Sequence, residues 1–224
     1  MIARLFHRRL LGLTLTLALV LNLVIGSLPA WGLARARMPD ATIATFPIYE
    51  PFTGTTAPNF IYGGQNFTAH LTAGAGEDPD GQGWLRLTEN ANSQSGYALY
   101  DKAFPSDQGI SVKFQYATYA GNGADGIAFF LLDGSTGTPL IGALGGSLGY
   151  SDKGSCSAPT QPGITGGYVG IGLDEYGNFS DASHGGLCSA PGRRPHSVTL
   201  RGSGVRAPSG TDGGYDYLTH VQLG

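Results

Sequence analysis

Two segments of this chain carry oxygen-bearing side chains where apolar strands should not have them. The first, G-A-D-G-I-A-F-F-L-L-D at residues 123–133, places Asp125 at the mouth of the apolar run 127–132. The second, G-Y-V-G-I-G-L-D-E-Y-G-N-F-S-D at residues 167–181, carries Asp174, Tyr176 and Asn178 at alternate positions. An extended backbone there projects all three side chains from one face. Hard oxygen ligands on one strand and a lone aspartate on another are the ingredients of a sugar site braced by Ca²⁺. Catalysis fits the spacing poorly. Retaining glycoside hydrolysis needs two carboxyl groups about 5–5.5 Å apart, which on a strand means E-x-D-x-x-E. Gly172 and Gly177 hold both glutamate positions, and Glu175, adjacent to Asp174, points to the opposite face. Neither cysteine sits in a recognisable nucleophile context. The chemistry on offer is recognition, without turnover.

Such residues need strands to hold them, and the chain reads as all-β. Short apolar or alternating runs recur between Gly, Pro, Asn and Asp, with no convincing helical period. Strands are expected at 84–88, 95–100, 109–116, 126–132, 167–173, 197–201 and 217–222. Leu85 and Leu87, then Val112, Phe114 and Tyr116, alternate with polar neighbours as half-buried antiparallel strands do. The run 127–132 lacks alternation, which predicts a central strand covered on both faces. Residues 46–65 read as an N-terminal lead-in, and 74–83 and 151–163 as polar loops. A two-sheet sandwich of the jelly-roll type is the economical arrangement for this many strands.

Composition bounds the rest. Residues 1–36 combine a basic start (Arg4, His7, Arg8, Arg9) with an apolar run and small residues beyond it, the layout of a secretory signal peptide. The run is only slightly short of a membrane span, so an uncleaved anchor is the alternative, and membrane association follows only in that case. Residues 37–224 are one domain's worth of chain. Glycine supplies 37 of 224 residues and charged residues only 13%, yet 41% are hydrophobic, enough side chain for a core. A net charge of -3 offers no footprint for nucleic acid. In an exported chain the two cysteines, Cys156 and Cys188, predict one disulfide, with two buried thiols as the alternative. A bridge would close the loops flanking the second segment and stabilise the fold by roughly 3–4 kcal/mol.

The two segments occur in order with a Gly145-Gly146-Ser147-Leu148-Gly149 turn, W-L-R-L-T at 84–88 and R-P-H-S-V-T-L-R at 194–201. Over residues 60–201 this combination resembles the legume-type (L-type) lectins, and more closely their bacterial secreted relatives. The resemblance implies a concanavalin-like jelly roll of two antiparallel sheets. It implies that Asp125, after a cis Ala124–Asp125 peptide, accepts hydrogen bonds from two sugar hydroxyls. A backbone N–H of Gly146, with Gly145 beside it, would face the sugar; the Tyr176 ring would stack on it and the Asn178 amide reach a hydroxyl. Ca²⁺ would be held by Asp174, the Tyr176 carbonyl, Asn178 and Asp181.

The chain also departs from that pattern. Plant lectins carry a metal-binding glutamate where Gly172 stands, so a second metal is not expected and His184 lacks a partner that would make it a ligand. The step from Asn178 to Asp181 is shorter than the family's. The family's sandwich continues beyond the 194–201 strand, whereas this chain stops at Gly224, so an incomplete sandwich from a longer protein is expected. The functional expectation is a secreted or cell-surface, calcium-dependent protein that binds an oligosaccharide or polysaccharide without catalysis. A structural or adhesive module on the same fold, and a glucanase-type hydrolase, are the rival readings.

Overall fold

The computed structural model describes residues 44–155, 158–185, 190–206 and 213–223. The expected signal segment 1–36 and both cysteines, Cys156 and Cys188, lie outside the described residues, and so does their pairing. Within them the chain is all-β. The strands are β1 (Phe60–Gln65), β2 (His70–Leu71), β3 (Leu85–Arg86), β4 (Ser95–Tyr100), β5 (Gly126–Leu132), β6 (Lys153–Ser155), β7 (Ala158–Gln161), β8 (Gly167–Asp174), β9 (Ser197–Arg201), β10 (Gly204–Val205), β11 (Gly213–Gly214) and β12 (Tyr217–Gln222). Three single-turn 3₁₀ segments, Gly145–Ser147, Asn178–Ser180 and Ala182–His184, interrupt the connections.

One four-stranded antiparallel sheet, in the order β12-β9-β8-β5, carries the fold, with β1–β4, β2–β3, β6–β7 and β10–β11 forming separate pairs. Its two faces bury different things. Register aligns Ile127, Leu173, Val198 and Val221 across four strands, and Phe129, Ile171 and Leu200 across three. Those cross-strand rows are the apolar pairs that stabilise sheets. The opposite face is the more deeply buried one, although its residues are small or polar. Gly170, Gly172 and Asp174 of β8 and Ser197, Thr199 and Arg201 of β9 are closed over by loop-borne rings. Tyr150, Ile164, Phe179 and Tyr215 form that core, with Phe130, Leu132, Ile141 and Leu148 packed against it. Burying each large side chain contributes about 1.5–3 kcal/mol.

Several strand expectations change. The run 127–132 is at the end of the sheet, not its centre, and its residues are half-buried. Residues 109–116 form no strand, although Phe114 stacks on Phe129 with ring centroids 6.2 Å apart. The alternating Val112, Phe114 and Tyr116 all stay exposed, and no described strand pairs with the segment. The strand expected at 84–88 shortens to Leu85–Arg86, the lead-in contributes β1, and the expected loop 151–163 contains the β6–β7 pair.

Gly172 is held to glycine by packing. A Cβ built there would lie 2.3 Å from Cδ1 of the fully buried Phe179 ring. The ring occupies the space that a glutamate would need. Gly172→Glu is therefore expected to destabilise the protein by about 3 kcal/mol through overpacking and charge burial. A urea-midpoint shift should report it, and a variant as stable as the parent would contradict this packing account.

Candidate functional site

The candidate site lies where the ends of β5 and β8 meet the Gly145–Ser147 turn. Gly126 is opposite Asp174 in the β5–β8 register, so Asp125 sits just beyond the end of that pairing. The Tyr176 N–H donates to the Asp125 carbonyl at 3.1 Å, holding the two segments together. The Ala124–Asp125 peptide is cis, as the resemblance implies. The glycine turn comes within reach of both segments. A Cβ built on Gly145 would lie 3.6 Å from Asp125 Oδ2 and 3.7 Å from Lys153 Nζ. One built on Gly146 would lie 2.3 Å from Asn178 Cβ and 2.9 Å from His184 Nε2. Four chain segments thus bring Asp125, Lys153, Asn178 and His184 around one turn.

The polar ends of these side chains are left free. Asp125's carboxylate, Lys153's ammonium, Asn178's amide and His184 Nε2 have no hydrogen bond or ion pair within the described residues. Burial pushes the Asp125 carboxyl above its ordinary value, and the Lys153 charge pulls it partly back. Burial, then the Lys153 charge, takes His184 down to about 4, against the opposing effect of Asp181. The imidazole is therefore neutral at pH 7. Its Nδ1 is 2.9 Å from Ser183 Oγ, which leaves Nε2 toward the Gly146 turn. A carboxylate, an ammonium, an amide and a neutral imidazole offer a ligand both donors and acceptors.

The expected calcium ligands are placed differently. Asp174 is only 2% exposed, and its two carboxylate oxygens accept the Gly177 and Phe179 N–H groups at 2.7 Å each. Burial raises its pKa to about 6 despite those amides, with the Asp125 and Glu175 charges adding to the rise. The Tyr176 carbonyl accepts from Arg193 Nε at 2.8 Å, and that guanidinium lies 3.8 Å over the Tyr176 ring. The Asp181 carboxylate turns to Ser183, accepting its N–H and hydroxyl at 2.8 Å. Of the four, only the Asn178 side chain lacks a partner among the described residues. Calcium takes 6–8 oxygens. Asp174, the Tyr176 carbonyl and Asp181 each already accept hydrogen bonds from within the chain, so a cation there would share these oxygens with N–H, hydroxyl and guanidinium donors.

Asp125, Gly145, Gly146 and Asn178 are brought together, and Tyr176 lies at their rim with Arg193 over one ring face. Asp174 lies beneath them as a buried anchor of the loop, and Asp181 caps the following turn. Sequence reasoning missed Lys153 and gave His184 no role. No motif links them to the aspartates, because β6 and the 182–184 turn come from separate connections. No protein-family model matches the chain, and no curated protein matches it.

Proposed function

We propose that this chain is a secreted or cell-surface protein that binds an oligosaccharide or polysaccharide without catalysis, on a concanavalin-like jelly roll. The observation that carries the reading is the ring of four free polar groups around Gly145 and Gly146. A glycan presents neighbouring hydroxyls, each both donor and acceptor. The Asp125 carboxylate would accept from two of them, and Lys153 and the Asn178 amide would answer their lone pairs. Gly145, with no side chain, leaves the space between Asp125 and Lys153 open to the ligand. The exposed side of the Tyr176 ring would meet an apolar sugar face.

Carboxylate placement favours binding over hydrolysis. Asp174, the acid nearest in register to Asp125, is buried with both oxygens held by backbone amides. Glu175 is turned to His196, 3.1 Å away. Among the described residues, neither Asp174 nor Glu175 is then a free partner for Asp125 in the two-carboxylate mechanism.

Glycan-array binding of the full chain tests the proposal. Asp125→Asn should reduce affinity for any bound glycan about tenfold to a hundredfold, the cost of losing hydrogen bonds to a charged acceptor. Acidification should act in the same direction. Both Asp125 and Asp174 have raised pKa values, Asp174 about 6, so each loses its charge earlier than an ordinary carboxylate as pH falls. Affinity should decline from about pH 6 downward, before His184 protonates near 4. No binding on a broad array would leave the structural-module reading; release of reducing ends would support the hydrolase.

A further inference from the structure

We infer that the loop after β8 is braced by the chain's own arginines, with Arg193 holding the carbonyl that a calcium ion would otherwise organise. The loop must hold Asn178 against Gly146, and its backbone acceptors need partners to stay there. Nearly every one has a partner from within the chain. Tyr176 O accepts from Arg193 Nε at 2.8 Å, and Gly177 O from Arg194 N at 2.9 Å. Asn178 O accepts from Asp181 N at 2.9 Å. Phe179 O and Asp181 O accept from Arg201 Nε and Nη2 at 2.7 and 2.8 Å. From beneath, Asp174 holds the N–H groups of Gly177 and Phe179.

The two arginines differ in kind. Arg201 is fully buried and belongs to the core, whereas Arg193 is exposed and reaches the loop from outside. Its guanidinium meets the Tyr176 carbonyl and the ring face together, a double contact that a planar cation makes well. A divalent cation brought to the same carbonyl would meet that positive charge at close range, and like charges so near repel. Arg193 therefore does two things: it satisfies the acceptor and it opposes a metal there. It is a positioning residue for Tyr176 and, through Gly177, for Asn178.

Melting and amide hydrogen exchange on the full chain test this without any glycan, so the outcome is separate from the sugar-binding reading. In the wild type, excess Ca²⁺ and a chelator should leave both the melting temperature and the exchange of the Gly177 and Phe179 amides unchanged. Arg193→Ala should fold cooperatively but exchange those two amides about tenfold faster, the scale of one lost hydrogen bond to a charged donor. The β9 amides should exchange as before, which a general loss of stability would not allow. Arg193→Lys should restore the protection only in part. Loss of melting temperature on chelation would overturn the inference, and so would undiminished protection in Arg193→Ala.

Discussion

Replacing Arg201 with methionine should destabilise the protein by about 3–5 kcal/mol, the range for removing one partner from a buried charged network. Arg201 has no exposed surface. Its Nε donates to Phe179 O at 2.7 Å, Nη1 to Gly185 O and Tyr215 O at 2.9 and 2.6 Å, and Nη2 to Asp181 O at 2.8 Å. One side chain on β9 thus ties down the loop after β8 and the residues leading into β12. Burial lowers its pKa to about 10, with Asp152, Asp216, Asp181 and Asp174 opposing the fall. It remains charged at neutral pH. Methionine fills similar volume but donates nothing, so Phe179 O, Gly185 O, Tyr215 O and Asp181 O each lose a donor, Asp181 O keeping the His184 N–H, at about 1–3 kcal/mol for each acceptor left unsatisfied. Lysine keeps the charge, but an ammonium on one flexible stem cannot span acceptors spread across a planar fork. It should recover only part of the loss. Urea midpoints of the two variants decide the matter; a methionine variant within about 1 kcal/mol of the parent would show that water replaces the guanidinium.

Arg201 also shows how far the strands were legible. S-V-T-L-R at β9 reads correctly as a strand, and β4, β5, β8 and β12 stand where alternation and turn residues put them. Which face would be most deeply buried was not legible. Hydropathy favours Val198 and Leu200, yet Ser197, Thr199 and Arg201 are the fully buried set. The rings that cover them, Tyr150 and Phe179, come from loops, and strand periodicity carries no information about what a loop will place overhead. The site divides the same way. Asp125 and Asn178 stand in strand-borne motifs and Gly146 in the glycine turn that the resemblance singles out, all positions marked locally in the chain. Lys153, His184 and Arg193 reach the site or its loop through tertiary packing, from segments with no signature of their own. Oxygen spacing along a strand counts acceptors, but whether Gly177, Phe179 and Arg193 already occupy them is settled by the folded loop.

Two adjacent glycines in the turn should respond to substitution in opposite ways. Gly145 has φ 72°, and its added Cβ would meet Asp125 and Lys153 only at ordinary contact distance. Gly145→Ala therefore costs the left-handed conformation, about 1 kcal/mol, without a clash. Its methyl would nonetheless project between Asp125 and Lys153, the space assigned to the glycan. Binding should fall about tenfold to a hundredfold while the fold stays nearly intact. Gly146 presents the reverse case. Its Cβ would lie 2.3 Å from Asn178 Cβ and 2.9 Å from His184 Nε2, closer than real side chains approach. Gly146→Ala must displace the loop, so it should cost about 1–3 kcal/mol as well as ligand affinity. Denaturation midpoints and glycan titrations on the same two variants separate these outcomes. If Gly145→Ala binds glycan as tightly as the parent, the ligand does not occupy the space between Asp125 and Lys153. The recognition surface would then have to be sought on the rim around Tyr176. Equal loss of stability in both variants would instead mean that the turn is a packing element throughout. Gly145 faces open space beside Asp125 and Lys153 whereas Gly146 is closed by Asn178 and His184, so the two substitutions separate an effect on binding from an effect on packing.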